Sequence, residues 1–207
     1  TKAMRAMTAL AKAALRGLGL AAFAAAFPAS GAAAADEPPR ALVEEVRDWA
    51  HAPTALITLR GVNESRDGWS RSRIIELDGQ WRDQREAGDQ PLVARILGNP
   101  LSRHLTRVQA HSLGLYVELF VTGAHGLNAG QSAVTSDFWQ GDEGKFKEPW
   151  SEGADGFWVG DAEPGPHGIT KRQFALTVVD PKTGDPLGVA VAEYDVDKAH
   201  ARYGADN

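Results

Sequence analysis

The rhythm of apolar and polar positions changes once along this chain. From Pro38 to about His111 apolar residues recur every three or four positions, the spacing of amphipathic helices. In "PPRALVEEVRDWA" Leu42, Val43, Val46 and Trp49 form one stripe behind prolines suited to a helix start. After Pro53 the pattern predicts a long helix from about Pro53 to Arg85, with Leu56, Leu59, Val62, Trp69, Ile74, Leu77 and Trp81 as its apolar positions. Gly61 and Gly68 weaken that helix. "PLVARILGN" and "LSRHLTRVQAH" predict two shorter ones.

Beyond His111 the period falls to two. In "LYVELFV" Leu115, Val117, Leu119 and Val121 share one face and Tyr116, Glu118 and Phe120 the other, which predicts a strand whose odd positions face a core. "RQFALTVVD" and "PLGVAVAEYDV" alternate in the same way around the turn "PKTGD", so Phe174–Val179 and Leu187–Val191 should form an antiparallel hairpin. "NAGQS" and "GFWVG" add two shorter strands. Helices followed by a strand meander predict an α+β domain: a long N-terminal helix packed through Leu59, Leu77 and Trp81 on a central antiparallel sheet of about five strands.

The first 35 residues follow neither rhythm. Lys2, Arg5, Lys12 and Arg16 precede the apolar run "GLGLAAFAAAF", then Pro28 and the small-residue stretch ending at Ala33-Ala34-Ala35. Basic, apolar, then small is the order of a secretory signal peptide, and the apolar run is shorter than the roughly 20 residues of a membrane span. Residues 1–35 are therefore expected to be removed, leaving 36–207 as one soluble domain in the periplasm or secreted. No later stretch reaches span length.

Composition narrows the function classes. The chain has 207 residues, 43% hydrophobic, a net charge of −5 and no cysteine, enough for a packed core without disulfides. Removing four basic and no acidic residues with the leader leaves 22 − 4 = 18 basic against 27 acidic groups, a net charge of −9. That balance, with no basic run interleaved with aromatics, argues against nucleic acid as a partner. No G-x-S-x-G, H-E-x-x-H or phosphate-binding glycine loop is present, and no enzyme activity is expected. His104 and His111 stand seven apart, two helical turns, too far for an adjacent-turn ligand pair; neither a metal nor a cofactor is expected.

One stretch fits no regular element. Residues 135–146, "TSDFWQGDEGKF", combine three acids, one amide and three aromatic rings with two glycines in a long connection between strands, and such connections in compact domains usually carry function. "LYVELFVTGAHGLNAGQSAVTSDFWQGDEGKF" with the "DPKTGDPLGVAVAEYDV" hairpin resembles the extracytoplasmic sensor domains of the Cache superfamily, PAS-like folds, and the small exported PDC sensor domains in particular. An "LDxxW"-like segment, here Leu77, Asp78 and Trp81, belongs to the resemblance. Two positions depart from it: Gly123 stands where an aspartate is common, and Phe138 where a tyrosine is common.

The resemblance implies sensing. A small molecule such as an amino acid, organic acid or amine would bind between the sheet and its covering connections, and its occupancy would be passed to a membrane partner, a sensor kinase or chemoreceptor. The expected ligand contacts are Trp139, Asp137, Gln140 and Asp142 from the connection, with Tyr116 and Arg172 from the sheet. The same residues admit a structural reading, in which Trp139 plugs the core edge, Asp137 caps a helix and the remaining acids are solvated. A Cache-fold interaction protein with a filled pocket is the alternative function.

Overall fold

The computed structural model describes residues 37–204; the expected signal peptide lies outside them. Helix α1 spans Arg40–Ala50 and α2 spans Pro53–Ser65, each entered at or beside a proline. Buried Leu42, Val46 and Trp49 of α1 and Leu56 and Leu59 of α2 are the stripes expected from the sequence.

The helix predicted from Pro53 to Arg85 is two helices. Arg66 caps α2, Gly68 adopts a left-handed φ of 69°, and the Ser70 hydroxyl accepts the Arg73 amide (3.3 Å) to open α3 at Arg71–Arg85. A left-handed residue cannot continue an α-helix, and glycine is the residue that takes that conformation at least cost. The break changes what α3 touches. Leu59 sits in the core under the sheet, whereas Leu77 and Trp81 join a second cluster with Leu92, Ile96, Leu127, Phe138 and Trp139. The expectation that Leu77 and Trp81 pack on the sheet is thus corrected.

Helices α4 (Pro91–Leu97) and α5 (Pro100–His111) follow, the latter capped by the Asn99 side chain accepting the Ser102 amide at 2.8 Å. The strands are β1 Tyr116–Gly123, β2 Asn128–Gln131, β3 Phe157–Val159, the two-residue β4 Glu163–Pro164, β5 Thr170–Val179 and β6 Pro186–Asp195. They form one antiparallel sheet in the order β2-β1-β6-β5-β3, with β4 beside β5. Helix α6 (Gly144–Glu152) lies between β2 and β3 in the chain, and α7 (Val196–Tyr203) ends the described residues. The architecture is α+β, as expected.

The sheet is covered on both faces. Leu119 and Val121 of β1, Phe174, Leu176 and Val178 of β5, and Ala190 and Ala192 of β6 pack with α1, α2 and α5. On the other face Phe120, Ala175, Val189 and Val191 pack with Phe146 of α6. Thr177 Oγ1 donates to the Pro149 carbonyl at 2.9 Å and ties α6 to that face. A register shift between Tyr116 and Glu118 leaves Val117 as the extra residue of a bulge. The bulge breaks the simple alternation of β1: Val117 is half-buried, and Tyr116 lies on the helix-covered face together with Leu119.

Gly68→Ala tests the helix break directly, because a Cβ there meets no atom within 4 Å and only the backbone conformation is at stake. In a continuous helix the substitution would stabilise by about 0.5–1 kcal/mol. At a left-handed break it should destabilise by about 1–2 kcal/mol, read as a lower urea midpoint.

Candidate functional site

On the outer face, under α6, two strand glutamates oppose each other. Glu118 of β1 is the cross-strand partner of Glu193 of β6, which in turn pairs with Gln173 of β5. Like charges directly opposite on a sheet are destabilising, so the arrangement asks for compensation. Glu193 receives it: Lys171 Nζ lies 3.2 and 3.1 Å from its two carboxylate oxygens, and Gln173 Nε2 donates at 2.7 Å. Glu118 receives less. Its carboxyl is pushed up to about 7, by burial first and by Glu193 second, with Lys145 and Lys171 working against the rise.

A cavity of about 380 Å³ opens beside Glu193, lined also by Gln173, Lys171, Arg172, Lys145, Trp158, Glu143, Asp161 and Glu163; Glu118 is the cross-strand neighbour of its Glu193 wall. Lys145 Nζ holds Glu143 at 2.9 Å and stands 5.5 Å from the centre of the Phe120 ring. The site thus offers the Trp158 indole, two ammonium groups, the Arg172 guanidinium and four carboxylates. Such a set suits a zwitterion or an amine, with lysines for a carboxylate and the glutamates for an ammonium.

The odd stretch 135–146 delivers one wall of this cavity. Asp78 of α3, 1% exposed, accepts the Phe138 and Trp139 amides at 2.9 and 3.0 Å and is paired with Arg82. Trp81 stacks on Phe138 with ring centres 5.1 Å apart and donates to the Thr135 carbonyl at 3.0 Å. Trp139 turns to the other side, its indole N–H on the His125 carbonyl (3.0 Å) and its ring under Arg71 at 4.8 Å. A Cβ at Gly141 would collide with the Trp139 indole, so glycine lets the chain fold back over that ring. Glu143, Gly144 and Lys145 then reach the outer cavity.

The residues expected to bind ligand fall into three places. Asp137, Trp139 and Asp142 come together, with Asp78, Arg82 and Glu143, around a smaller polar depression of about 270 Å³. Asp137 is half-buried, its carboxylate 3.4 Å from Arg82 Nε, and Asp142 is exposed. Gln140 is buried and spans the loop, Nε2 donating to the Asp137 carbonyl at 2.9 Å. Tyr116 and Arg172 lie in one cross-strand row with Tyr194 on the helix-covered face. There the Tyr116 hydroxyl donates to Glu45 at 2.8 Å, and burial together with Glu45 raises it well above the ordinary tyrosine range. Arg172 shares a side-chain hydrogen bond with Tyr194 and is itself among the residues lining the outer cavity, the one expected contact that reaches it. The six do not form one site: the bulge at Val117 sends Tyr116 away from the outer face, and Trp139 is held as part of the second core cluster.

Glu118, Glu193, Lys145, Lys171, Gln173 and Trp158 were not among the expected contacts. Their signal was an acid interrupting the apolar alternation of each of two strands, at positions that only the strand register brings opposite each other. Among the described residues no group of three His, Cys, Asp or Glu side chains is placed to hold a metal ion, and no helix is long and apolar enough to cross a membrane.

No family profile matches the chain, and no curated protein matches it either. Among solved structures it is similar to sensory and ligand-binding domains. The ligand-binding domain of the Pseudomonas aeruginosa PAO1 amino acid chemoreceptor PctC, in complex with GABA, is 17% identical with a TM-score of 0.38, over 73% of this chain and 62% of that one. The sensory domain of the Campylobacter jejuni chemoreceptor Tlp3 with isoleucine bound is 12% identical with a TM-score of 0.37, over 78% and 62%. A domain of a sensory box/GGDEF family protein from Vibrio parahaemolyticus is 16% identical with a TM-score of 0.36, over 78% and 64%. The chain spans about three fifths of the length of these structures.

The raised Glu118 group fixes a pH dependence. An acid whose folded value lies above its ordinary 4.5 contributes most to stability while it is protonated, and that contribution is lost as pH rises through about 7. Glu118→Gln should therefore melt close to wild type below about pH 4.5 and progressively higher above it. By pH 8 the gain should be about 1–2 kcal/mol, or about 2–8 °C in Tm.

Proposed function

We propose that the domain is a small-molecule sensor whose ligand carries an ammonium group, an amino acid or amine, bound in the outer cavity at Glu193, the strand neighbour of Glu118. The facing carboxylates carry this reading. Two acids opposite each other in the middle of a sheet cost stability, Lys171 compensates Glu193 but leaves Glu118 raised, and the cavity beside Glu193 has room for a further cation. Lys145 and Lys171 supply a place for a ligand carboxylate, and Trp158 an apolar face. An ammonium near Glu118 would favour its ionised form, so binding should release a proton near neutral pH.

In this proposal the protein acts in the periplasm or as a secreted protein, and a membrane sensor kinase or chemoreceptor reads the occupied state. Helix α6 is the element placed to report occupancy. Its first turn carries Gly144 and Lys145 of the cavity wall, and its body is packed on the sheet through Phe146 and the Thr177 bond.

The test is a thermal-shift screen of amino acids, GABA, simple amines and dicarboxylates on wild type and Glu193→Gln at pH 8. A ligand at about 100 times its Kd stabilises by about 2.7 kcal/mol, so a true ligand should raise Tm by about 5–11 °C. Amine-bearing compounds should give the shift and Glu193→Gln should lose most of it, while dicarboxylates without an amine should leave Tm unchanged. A panel without any amine response, or a response undiminished in Glu193→Gln, contradicts the proposal. The first result would favour an interaction protein with no small ligand.

A further inference from the structure

A second cavity, of about 370 Å³, lies on the other side of the 135–146 connection, walled by α2, α3, α4, β2 and Phe138. Its chemistry is the reverse of the outer cavity. Its charged lining residues are Arg66 and Arg95, and the rest of its wall is mainly apolar, including Trp69, Leu77, Ile96 and Phe138. Arg66 is 7% exposed, yet among the described residues no carboxylate pairs with it or with Arg95. Its sequence neighbours Glu64 and Asp67 are exposed.

Arg66 is positioned with care. One terminal nitrogen donates to the Leu127 carbonyl at 3.0 Å and the other to the Asn128 carbonyl at 3.1 Å, and the guanidinium lies 5.7 Å from the Phe138 ring centre and 6.0 Å from that of Trp69. Two of five N–H donors are used in this way. Carbonyls and ring faces orient a cation without neutralising it, and a buried cation without an anion is costly. Burial first, then the nearby charge of Arg95, bring the Arg66 group down to about 10, as expected of a cation lacking a counter-ion.

We propose that this cavity is a second binding site, for a small organic anion whose carboxylate lies between Arg66 and Arg95 and whose apolar body rests against Trp69, Leu77 and Phe138. The pairing of a planar guanidinium with a carboxylate supplies the missing charge, and the apolar wall selects against hydrated inorganic anions. The site is distinct from the ammonium site: the two cavities share no lining residue.

Nuclear magnetic resonance titrations with benzoate and hexanoate, following the Trp69 indole N–H, test the proposal. At least one of them should give a saturable shift in wild type. Arg95 is exposed and makes no ion pair among the described residues, so Arg95→Gln should fold normally and weaken that binding by about tenfold or more. Benzamide and inorganic phosphate should bind at least about tenfold more weakly than the carboxylate, and Glu193→Gln should leave the titration unchanged. No saturable shift with either carboxylate up to about 10 mM overturns the proposal. So does binding that is equal for benzamide or phosphate, unchanged in Arg95→Gln, or lost in Glu193→Gln.

Discussion

One buried carboxylate holds the architecture of the sites together. Asp78 is almost without solvent and is sustained there by Arg82 and by the amides of Phe138 and Trp139. A buried charge survives only where its hydrogen bonds are met, so the connection cannot drift from α3 without exposing an uncompensated anion. Pinning two successive amides also fixes where their side chains go. Phe138 enters the α3–α4 cluster against Trp81, and Trp139 turns under Arg71. Gly141 then allows the chain to close over the Trp139 ring and carry Glu143–Lys145 across to the outer face of the sheet.

The consequence is a pair of cavities of opposite character flanking one short stretch of chain. Around the outer cavity, carboxylates outnumber cations beside the opposed Glu118 and Glu193; behind the connection, two arginines stand without a carboxylate among the described residues. The six-stranded sheet bounds the first and packed helices the second. Unbalanced charge kept in a rigid, partly dry setting is what a recognition site requires and what a merely stable fold avoids.

The helices and long strands were legible because their apolar positions are dense and regular: Leu42, Val46 and Trp49 on α1, and Phe174, Leu176 and Val178 on β5, all buried as their spacing indicated. The split between α2 and α3 was written in the sequence as Gly68 followed by Ser70, but the apolar stripe continuing through Trp69 and Ile74 concealed it. The bulge at Val117 left no mark, because it depends on how β1 pairs with β6 rather than on its own residues. The site was half legible for the same reason. "TSDFWQGDEGKF" was recognisable as unusual, yet its contribution to the outer cavity comes from Glu143–Lys145 rather than from Trp139, and the opposition of Glu118 and Glu193 exists only in the register.

Burial first and the facing Glu193 second hold the Glu118 carboxyl up at about 7, and the proposed ammonium ligand would draw it down. Carbon-detected titration of the glutamate side-chain carboxyls in the ligand-free protein measures this most directly. The Glu118 resonance should titrate with a midpoint near 7 in wild type, and the midpoint should fall in Glu193→Gln while remaining above the ordinary value of 4.5 because of burial. A wild-type midpoint at the ordinary glutamate value, or one that does not move when Glu193 loses its charge, would contradict the account.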